Sequence, residues 1–229
     1  RQQSEQTTLV QVVLAEQNTE TPVAQRMQRA RGAGGITVRQ RDGATRLATL
    51  YQDGCAKIRL PNTHSPALEA VLINTAGGLT GGDQMQWSAE VAPEGRMVIT
   101  TQACERIYRS IGGDAEVSTT LTVGAGARLD WLPQETILFA SSRLRRNITI
   151  DLGEGASLLA VEAFLLGRDA MGEAATDACL SDQWRIRRGG RLIHAEATRL
   201  DGTVAERHGL SLLAGQRAFA TILLVAPTA

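Results

Sequence analysis

The chain has 229 residues, enough to bury a sizeable apolar core in one large domain. Lys plus Arg and Asp plus Glu each number 24, so the formal net charge is zero, which argues against nucleic acid, an anionic membrane or an acidic substrate as partner. Three widely spaced cysteines form no disulfide framework and no signal peptide is visible, so we expect a soluble, cytoplasmic protein.

The N-terminal part differs from the rest of the chain in composition. Residues 1–35 are rich in Gln, Thr, Arg and Gly, which predicts an extended, poorly packed N-terminal segment. We predict one β domain over residues 36–229. Its last strand-like run, 219–225, has no polar tail after it, so we expect the domain to continue beyond Ala229.

From residue 36 onward, short apolar runs alternate with Gly, Asp and Asn, a pattern typical of a mostly β protein. In the run 117–123, for example, Val117, Leu121 and Val123 share one face. Residues 162–178 break the pattern and predict a short helix or a long loop. The predicted strands are 36–40, 45–52, 56–60, 69–74, 84–91, 97–101, 115–123, 127–132, 136–139, 145–151, 157–161, 182–188 and 191–197.

A strand–turn–strand unit recurs three times, over residues 87–100, 118–131 and 147–160. Each copy closes its turn on a glycine: Gly95, Gly126 and Gly155. A period of about 30 residues is typical of stacked supersecondary units. We therefore predict an all-β fold with many strands in layers, solenoid-like or sandwich-like, in which neighbouring copies bury each other's apolar faces. The alternative is a plain sandwich whose hairpins use similar turns.

A glycine-rich loop over residues 74–83 is the most conspicuous motif. Such a loop could cradle a phosphate, but no Gly-Lys-Ser/Thr ending follows and the next element is a strand instead of a helix. We predict a tight double turn in which close backbone approach excludes any Cβ. Asp83, at the loop's exit, is more open to a functional role. The glycines are Gly77, Gly78, Gly81 and Gly82.

Nucleophilic catalysis is not indicated, because none of the histidines has a recognisable catalytic setting. Four carboxylates lie next to apolar residues or rigid turns, where an acid is either hydrogen-bonded in a turn or is available to a cation. The functional alternative is transient binding of a divalent cation by oxygen ligands, helped by the Cys104 thiol. The four are Asp83, Asp130, Glu135 and Glu162.

Four segments, in order, resemble motifs of the UreD (UreH) family of urease accessory proteins. Ala76 and Ile107 depart from that family's usual proline and aromatic residue. The segments are 76–83 (AGGLTGGD), 100–110 (TTQACERIYRS), 129–135 (LDWLPQE) and 166–173 (LGRDAMGE).

The resemblance implies an all-β protein with one or two short helices that is not an enzyme and holds no cofactor stably. It implies UreF, the nickel-carrying GTPase UreG and apo-urease as partners, and an internal passage for Ni²⁺ toward the urease active site. Carried over residue by residue, Asp83 and Glu135, followed by Glu162, are candidates for lining that passage. It also implies a C-terminal end longer than this chain's. Tyr108, Arg109, Pro133 and Gln134 stand in the same motifs.

Two other classes of protein remain as alternatives. One is a generic β-sandwich binding module without a metal role. The other is a carboxylate-based hydrolase, which needs two carboxylates facing one cleft.

Overall fold

The computed structural model describes residues 28–168, 172–175, 177–201, 208–209 and 213–227. Strands dominate these residues and coincide closely with the predicted ones. They are β1 Arg31–Arg41, β2 Ala44–Gly54, β3 Ala56–Arg59, β4 Leu68–Asn74, β5 Gln84–Val91, β6 Arg96–Thr101, β7 Glu105–Ile107, β8 Ala115–Val123, β9 Arg128–Trp131, β10 Thr136–Leu138, β11 Arg143–Leu152, β12 Ser157–Leu166, β13 Cys179–Arg188, β14 Arg191–Asp201 and β15 Ala218–Val225.

The strands form two sheets. The first has seven strands in the order β14-β13-β11-β8-β5-β1-β2, and the second has eight, in the order β3-β4-β6-β9-β12-β10-β7 with β15 beside β12. In the first sheet β1, β5, β8, β11 and β13 pair in parallel, and in the second β4, β6, β9 and β12 do. A short turn links β5 to β6, β8 to β9 and β11 to β12, so each pair forms one layer. The predicted layered all-β fold is confirmed, and its repeats stack as in a solenoid.

The turns of the three repeats are equivalent in the structure, but the equivalent residue in the first turn is not the glycine that the sequence alignment predicted. The strand register sets Val91 opposite Val123, and Val123 opposite Leu152. The third residue after each of these has a positive φ: 60° at Glu94, 65° at Gly126 and 63° at Gly155. Gly95 is therefore one position too far along to be the equivalent glycine, and the first turn has a glutamate in the left-handed conformation instead.

Strand β1 begins at Arg31, earlier than predicted, and includes the Gly-Ala-Gly-Gly run that the sequence assigned to a poorly packed segment. Close packing explains these glycines. A Cβ on Gly34 would lie 2.4 Å from a ring carbon of Trp87, and one on Gly32 would lie 2.7 Å from the Ala56 nitrogen. Glycine in a strand marks such close approach, so the composition of this run reflects crowding and not looseness.

Strand β12 continues through residues 162–166, where the sequence predicted a short helix or a long loop to begin. Its alternation of buried and half-buried residues persists to Leu166, and neighbouring strands pair with both of its edges. Among the described residues only His208 has a helical conformation, and residues 202–207 beside it lie outside them. The described part of the chain has no helix long and apolar enough to cross a membrane.

The space between the sheets holds two apolar clusters with a charged layer between them. Along β11, Leu144 belongs to one cluster and Ile148 to the other. The residue between them is Arg146, and the same pattern places Glu162 in β12 and Asp182 in β13. All three charged residues are buried.

Candidate functional site

A gap in the second sheet opens the interior to solvent. Residues 102–104 separate β6 from β7, and residues 132–135 separate β9 from β10, whereas β12 passes the same level without interruption. Pro133 has no N–H to give to a ladder, which favours a break there. The Gln134 N–H instead donates to Thr101 Oγ1 at 2.9 Å, tying the two interruptions together.

A cavity of about 190 Å³ lies behind this gap. Exposed residues line its outer part, among them Gly77, Gln102 and Gln134, and buried ones such as Arg146 and Glu162 line its inner part. The cavity therefore runs from the surface to the charged layer between the apolar clusters. Two carboxylates line it, Glu105 and Glu162.

Glu105 lies in the part of β7 that faces this cavity, and it is half-buried. Both of its carboxylate oxygens accept from Asn74 Nδ2, at 3.1 and 3.2 Å. No arginine or lysine of the described residues forms an ion pair with it. Burial raises the pKa of Glu105 to about 7, and the Asn74 hydrogen bonds oppose the rise. Near pH 7 the protonated and the charged forms of this carboxyl group are therefore both populated.

Glu162, at the inner end of the cavity, has different partners from Glu105. Its Oε1 accepts from Trp131 Nε1 at 2.8 Å, and its Oε2 forms an ion pair with the Arg146 guanidinium. Burial raises the pKa of Glu162, whereas the guanidinium and the indole N–H favour the charged form. Glu162 is thus a fully enclosed carboxylate whose charge is balanced by one specific partner.

Arg146 also binds a second carboxylate across the layer. Its Nε and Nη2 donate to Asp182 Oδ1 and Oδ2 at 2.8 and 2.9 Å, and Trp184 Nε1 donates to Oδ2 at 3.0 Å. The guanidinium carbon lies 4.5 Å from the centre of the Phe164 ring. Glu162 and Asp182 together raise the pKa of Arg146 despite its burial, so the guanidinium stays charged.

Sequence reasoning identified Glu162 but missed Arg146, Asp182 and Glu105. A signal for two of them was present, because Arg146 and Asp182 each occupy an inward position of an otherwise apolar alternation. Their pairing was not visible, since it depends on which strands stack. Glu105 lies in a strand of only three residues, which is too short for alternation to reveal.

Asp83, the first candidate for the passage, does not line the cavity. It is buried, and its two carboxylate oxygens accept backbone N–H groups, Oδ1 from Ala30 and Oδ2 from Thr80, both at 2.8 Å. Asp83 therefore fixes the exit of the glycine-rich loop against the start of β1. A charged hydrogen-bond acceptor of this kind is a strong structural contact.

Glu135 is half-buried and also lies outside the cavity lining. Its backbone carbonyl accepts the Glu105 N–H at 3.0 Å, while Pro133 and Gln134, from the same motif, do line the cavity. The motif 129–135 thus forms one wall of the cavity mouth through residues other than its acid. A passage role for Glu135 remains a prediction.

The glycine-rich loop packs against the segment 106–114, as the expected close backbone approach requires. A Cβ on Gly78 would lie 2.4 Å from the Tyr108 ring, and one on Gly81 would lie 2.1 Å from Ser110 Oγ. Gly82 has a φ of 88°, and its N–H donates to the Asp114 carbonyl at 2.8 Å. Of the loop's glycines, Gly77 and Gly78 line the cavity.

Tyr108 and Arg109 lie at the surface beside this loop. The Tyr108 hydroxyl donates to the Gly77 carbonyl at 3.4 Å, and its ring meets the Phe139 ring edge-on, with centroids 5.2 Å apart. The Arg109 carbonyl accepts from Thr80 Oγ1 at 2.8 Å, while the residue itself is exposed. Both residues therefore hold the loop and keep polar groups available at the surface.

The described residues contain no group of three or more His, Cys, Asp or Glu side chains arranged to hold a metal ion. The half-buried Cys104 and Asn74 line the cavity beside Glu105.

Comparison with known proteins places this chain in a family. A family model described as UreD urease accessory protein matches residues 30–229. A urease accessory protein UreD from Chelativorans sp. (strain BNC1) is 62% identical over 203 residues, 89% of this chain and 73% of that protein. The UreD of Rhizobium rhizogenes is 58% identical over 207 residues, 89% and 75% of the two chains. The UreD of Agrobacterium fabrum is 52% identical over 203 residues, 88% and 72%.

Proposed function

Because the chain belongs to the UreD family of urease accessory proteins, we propose that it docks on apo-urease together with UreF and UreG and assists the delivery of Ni²⁺ to the urease active site. In this role the chain is a scaffold without catalytic activity of its own. It contacts the metal ion in transit and holds no cofactor stably.

The observation that carries this proposal is the cavity behind the gap in the second sheet. It reaches from exposed residues at the surface to Glu162 in the charged layer, and two carboxylates line it. Oxygen ligands of this kind bind divalent cations without the tight hold of a thiolate or imidazole cluster. A carrier that must release its cargo needs this weak, sequential contact.

Energy from nucleotide hydrolysis is assigned to the GTPase UreG. The glycine-rich loop of this chain leads into a strand instead of a helix and packs against Tyr108 and Ser110. Hydrolysis by paired carboxylates is disfavoured as well, because Glu162 is bound to Arg146 and Trp131. An acid–base pair would require both carboxylates free to face one substrate.

A cytoplasmic location is part of the proposal. Its support is that all three cysteines of the chain, Cys55, Cys104 and Cys179, are free thiols. Free, partly exposed thiols are typical of a reducing compartment.

Reconstituted urease activation tests the proposal. Apo-urease, UreF, UreG, GTP, Ni²⁺ and bicarbonate are combined with or without this chain, and urea hydrolysis is followed, with a sample lacking UreG as control. We expect activity above the control only when the chain is present. Equal activity in the absence of the folded chain would contradict the proposal and favour a binding module without a metal role.

A further inference from the structure

Arg146 lies against Glu162 at the inner end of the cavity. The guanidinium lies between two buried carboxylates and uses Nη1 for Glu162 and Nε and Nη2 for Asp182. Two carboxylates therefore share one guanidinium, which already fills the position nearest both of them.

The Arg146 side chain also lines the cavity, so it has space on one side. Its strand, β11, pairs with β8 and β13 along its whole length, which fixes the backbone. The side chain is long and unbranched, and its head is held by hydrogen bonds and by the Phe164 ring. A movement of the head into the cavity therefore needs no change in the sheets.

We infer that Arg146 is a tethered cation that closes the inner end of the cavity, and that a divalent cation reaches Glu162 and Asp182 only by displacing its guanidinium. This inference rests on the proposed nickel passage. A doubly charged ion is repelled by the guanidinium at contact distance, so it cannot bind Glu162 beside an unmoved Arg146. Once Arg146 moves away, the ion meets two carboxylates in place of one.

The alternative is a static clamp. In that case the Arg146 network only ties β11 and β13 of the first sheet to β12 of the second, and removing it weakens the fold without exposing a cation site. The two accounts differ in what happens when the guanidinium is deleted and Ni²⁺ is added.

Tryptophan fluorescence of the isolated chain distinguishes them. The chain has three tryptophans, and two of them donate to the two carboxylates in question. Ni²⁺ is paramagnetic and quenches an indole that it approaches, so a Ni²⁺ titration reports occupancy of the cavity, which Trp87 and Trp131 line, and the Glu162→Gln change tests whether the ion lies at its inner end. No urease or other accessory protein is needed, and failure of this test leaves the activation test of the proposed function standing.

The variants are Arg146→Gln, Arg146→Gln with Glu162→Gln, and Arg145→Gln as matched control. Arg145 is the neighbouring arginine on the outer side of β11, paired at the surface with Asp114 and Glu116. We expect Arg146→Gln to bind Ni²⁺ at least about tenfold more tightly than the wild type. The gain should disappear in the double variant, and Arg145→Gln should match the wild type.

An unchanged Ni²⁺ affinity in folded Arg146→Gln would overturn the inference, and so would a gain that survives Glu162→Gln. If Arg146→Gln fails to fold, as judged by circular dichroism, Arg146→Lys replaces it. A lysine keeps the charge but cannot bridge two carboxylates with a planar fork. It should show a smaller gain in affinity, and an affinity equal to the wild type's would again reject the displaced-guanidinium account.

Discussion

At the scale of single residues, burial and partners decide what each acid can do. Asp83, Glu105 and Glu162 are all acids in or beside sequence motifs, yet one binds backbone N–H groups, one binds an amide and one binds a guanidinium. The sequence shows that each is an acid near apolar residues. It does not show the distant partner of each acid, which lies about 15 to 50 residues away in the chain: Ala30 for Asp83, Asn74 for Glu105 and Arg146 for Glu162.

Glu105 predicts a measurable pH dependence of stability. Burial raises its pKa from 4.5 to about 7, so the folded state holds a proton that the unfolded state releases. Its contribution to stability is therefore complete below about pH 4.5 and is lost as the pH rises to about 7. Glu105→Gln is neutral at every pH and should gain up to about 3 kcal/mol relative to the wild type between those limits.

Urea unfolding of both proteins across this pH range measures the difference. Glu90→Gln, an exposed position on β5, is the matched control and should follow the wild type. Parallel stability curves for Glu105→Gln and the wild type would show that Glu105 is not protonated on folding.

We predict that removing the Asp83 carboxylate lowers the stability of the fold, whatever its effect on urease activation. Asp83→Ala leaves the N–H groups of Ala30 and Thr80 without their acceptor, which should lower the free energy of unfolding by about 2–4 kcal/mol. Asp130→Ala removes an acid whose partner, Arg128, is largely exposed, and should change it by less than about 1 kcal/mol. Denaturant unfolding compares the two, and equal losses would show that Asp83 is not a structural acceptor.

At the scale of elements, strand positions were predictable from period-2 alternation, whereas the alignment of the turns was not. Gly95 lies one residue beyond the position that Gly126 and Gly155 occupy, because Glu94 takes the left-handed conformation in the first turn. The sequence shows a glycine near each turn, but it does not show which residue of the turn has a positive φ. Strand register, which comes from stacking, was needed to identify the equivalent positions.

The positive φ of Glu94 predicts that replacing this residue by glycine stabilises the protein. A glutamate at a φ of 60° is strained, and glycine accepts that conformation freely. Glu94→Gly should therefore raise the free energy of unfolding by up to about 1 kcal/mol, whereas Glu154→Gly, one position before Gly155, should lower it by about 0.5 kcal/mol because glycine adds entropy to the unfolded chain. Thermal unfolding of both variants tests this prediction. If both variants are less stable than the wild type, the contacts of the Glu94 side chain stabilise the fold by more than the backbone strain at Glu94 destabilises it.

At the scale of the whole molecule, the period of about 30 residues predicted the stacked layers, because each strand–turn–strand unit buries its apolar face only against its neighbours. The cavity could not be predicted in this way. It depends on two interruptions in the second sheet lying side by side, at residues 102–104 and 132–135, next to an uninterrupted β12. The motifs of the family resemblance mark both interruptions, but only the stacked layers bring them together.

The central claim is that Ni²⁺ delivery to urease passes through this cavity, and filling the cavity tests it most directly. Val117 lines the cavity, and Ser118, the next residue of β8, is exposed on the opposite face of the sheet. Urease activation is measured with limiting Ni²⁺ and with Val117→Trp or Ser118→Trp, each shown to be folded and to enter the complex with UreF and UreG. We predict a large loss of activation for Val117→Trp and none for Ser118→Trp. Full activation by a folded, assembled Val117→Trp protein would contradict the account.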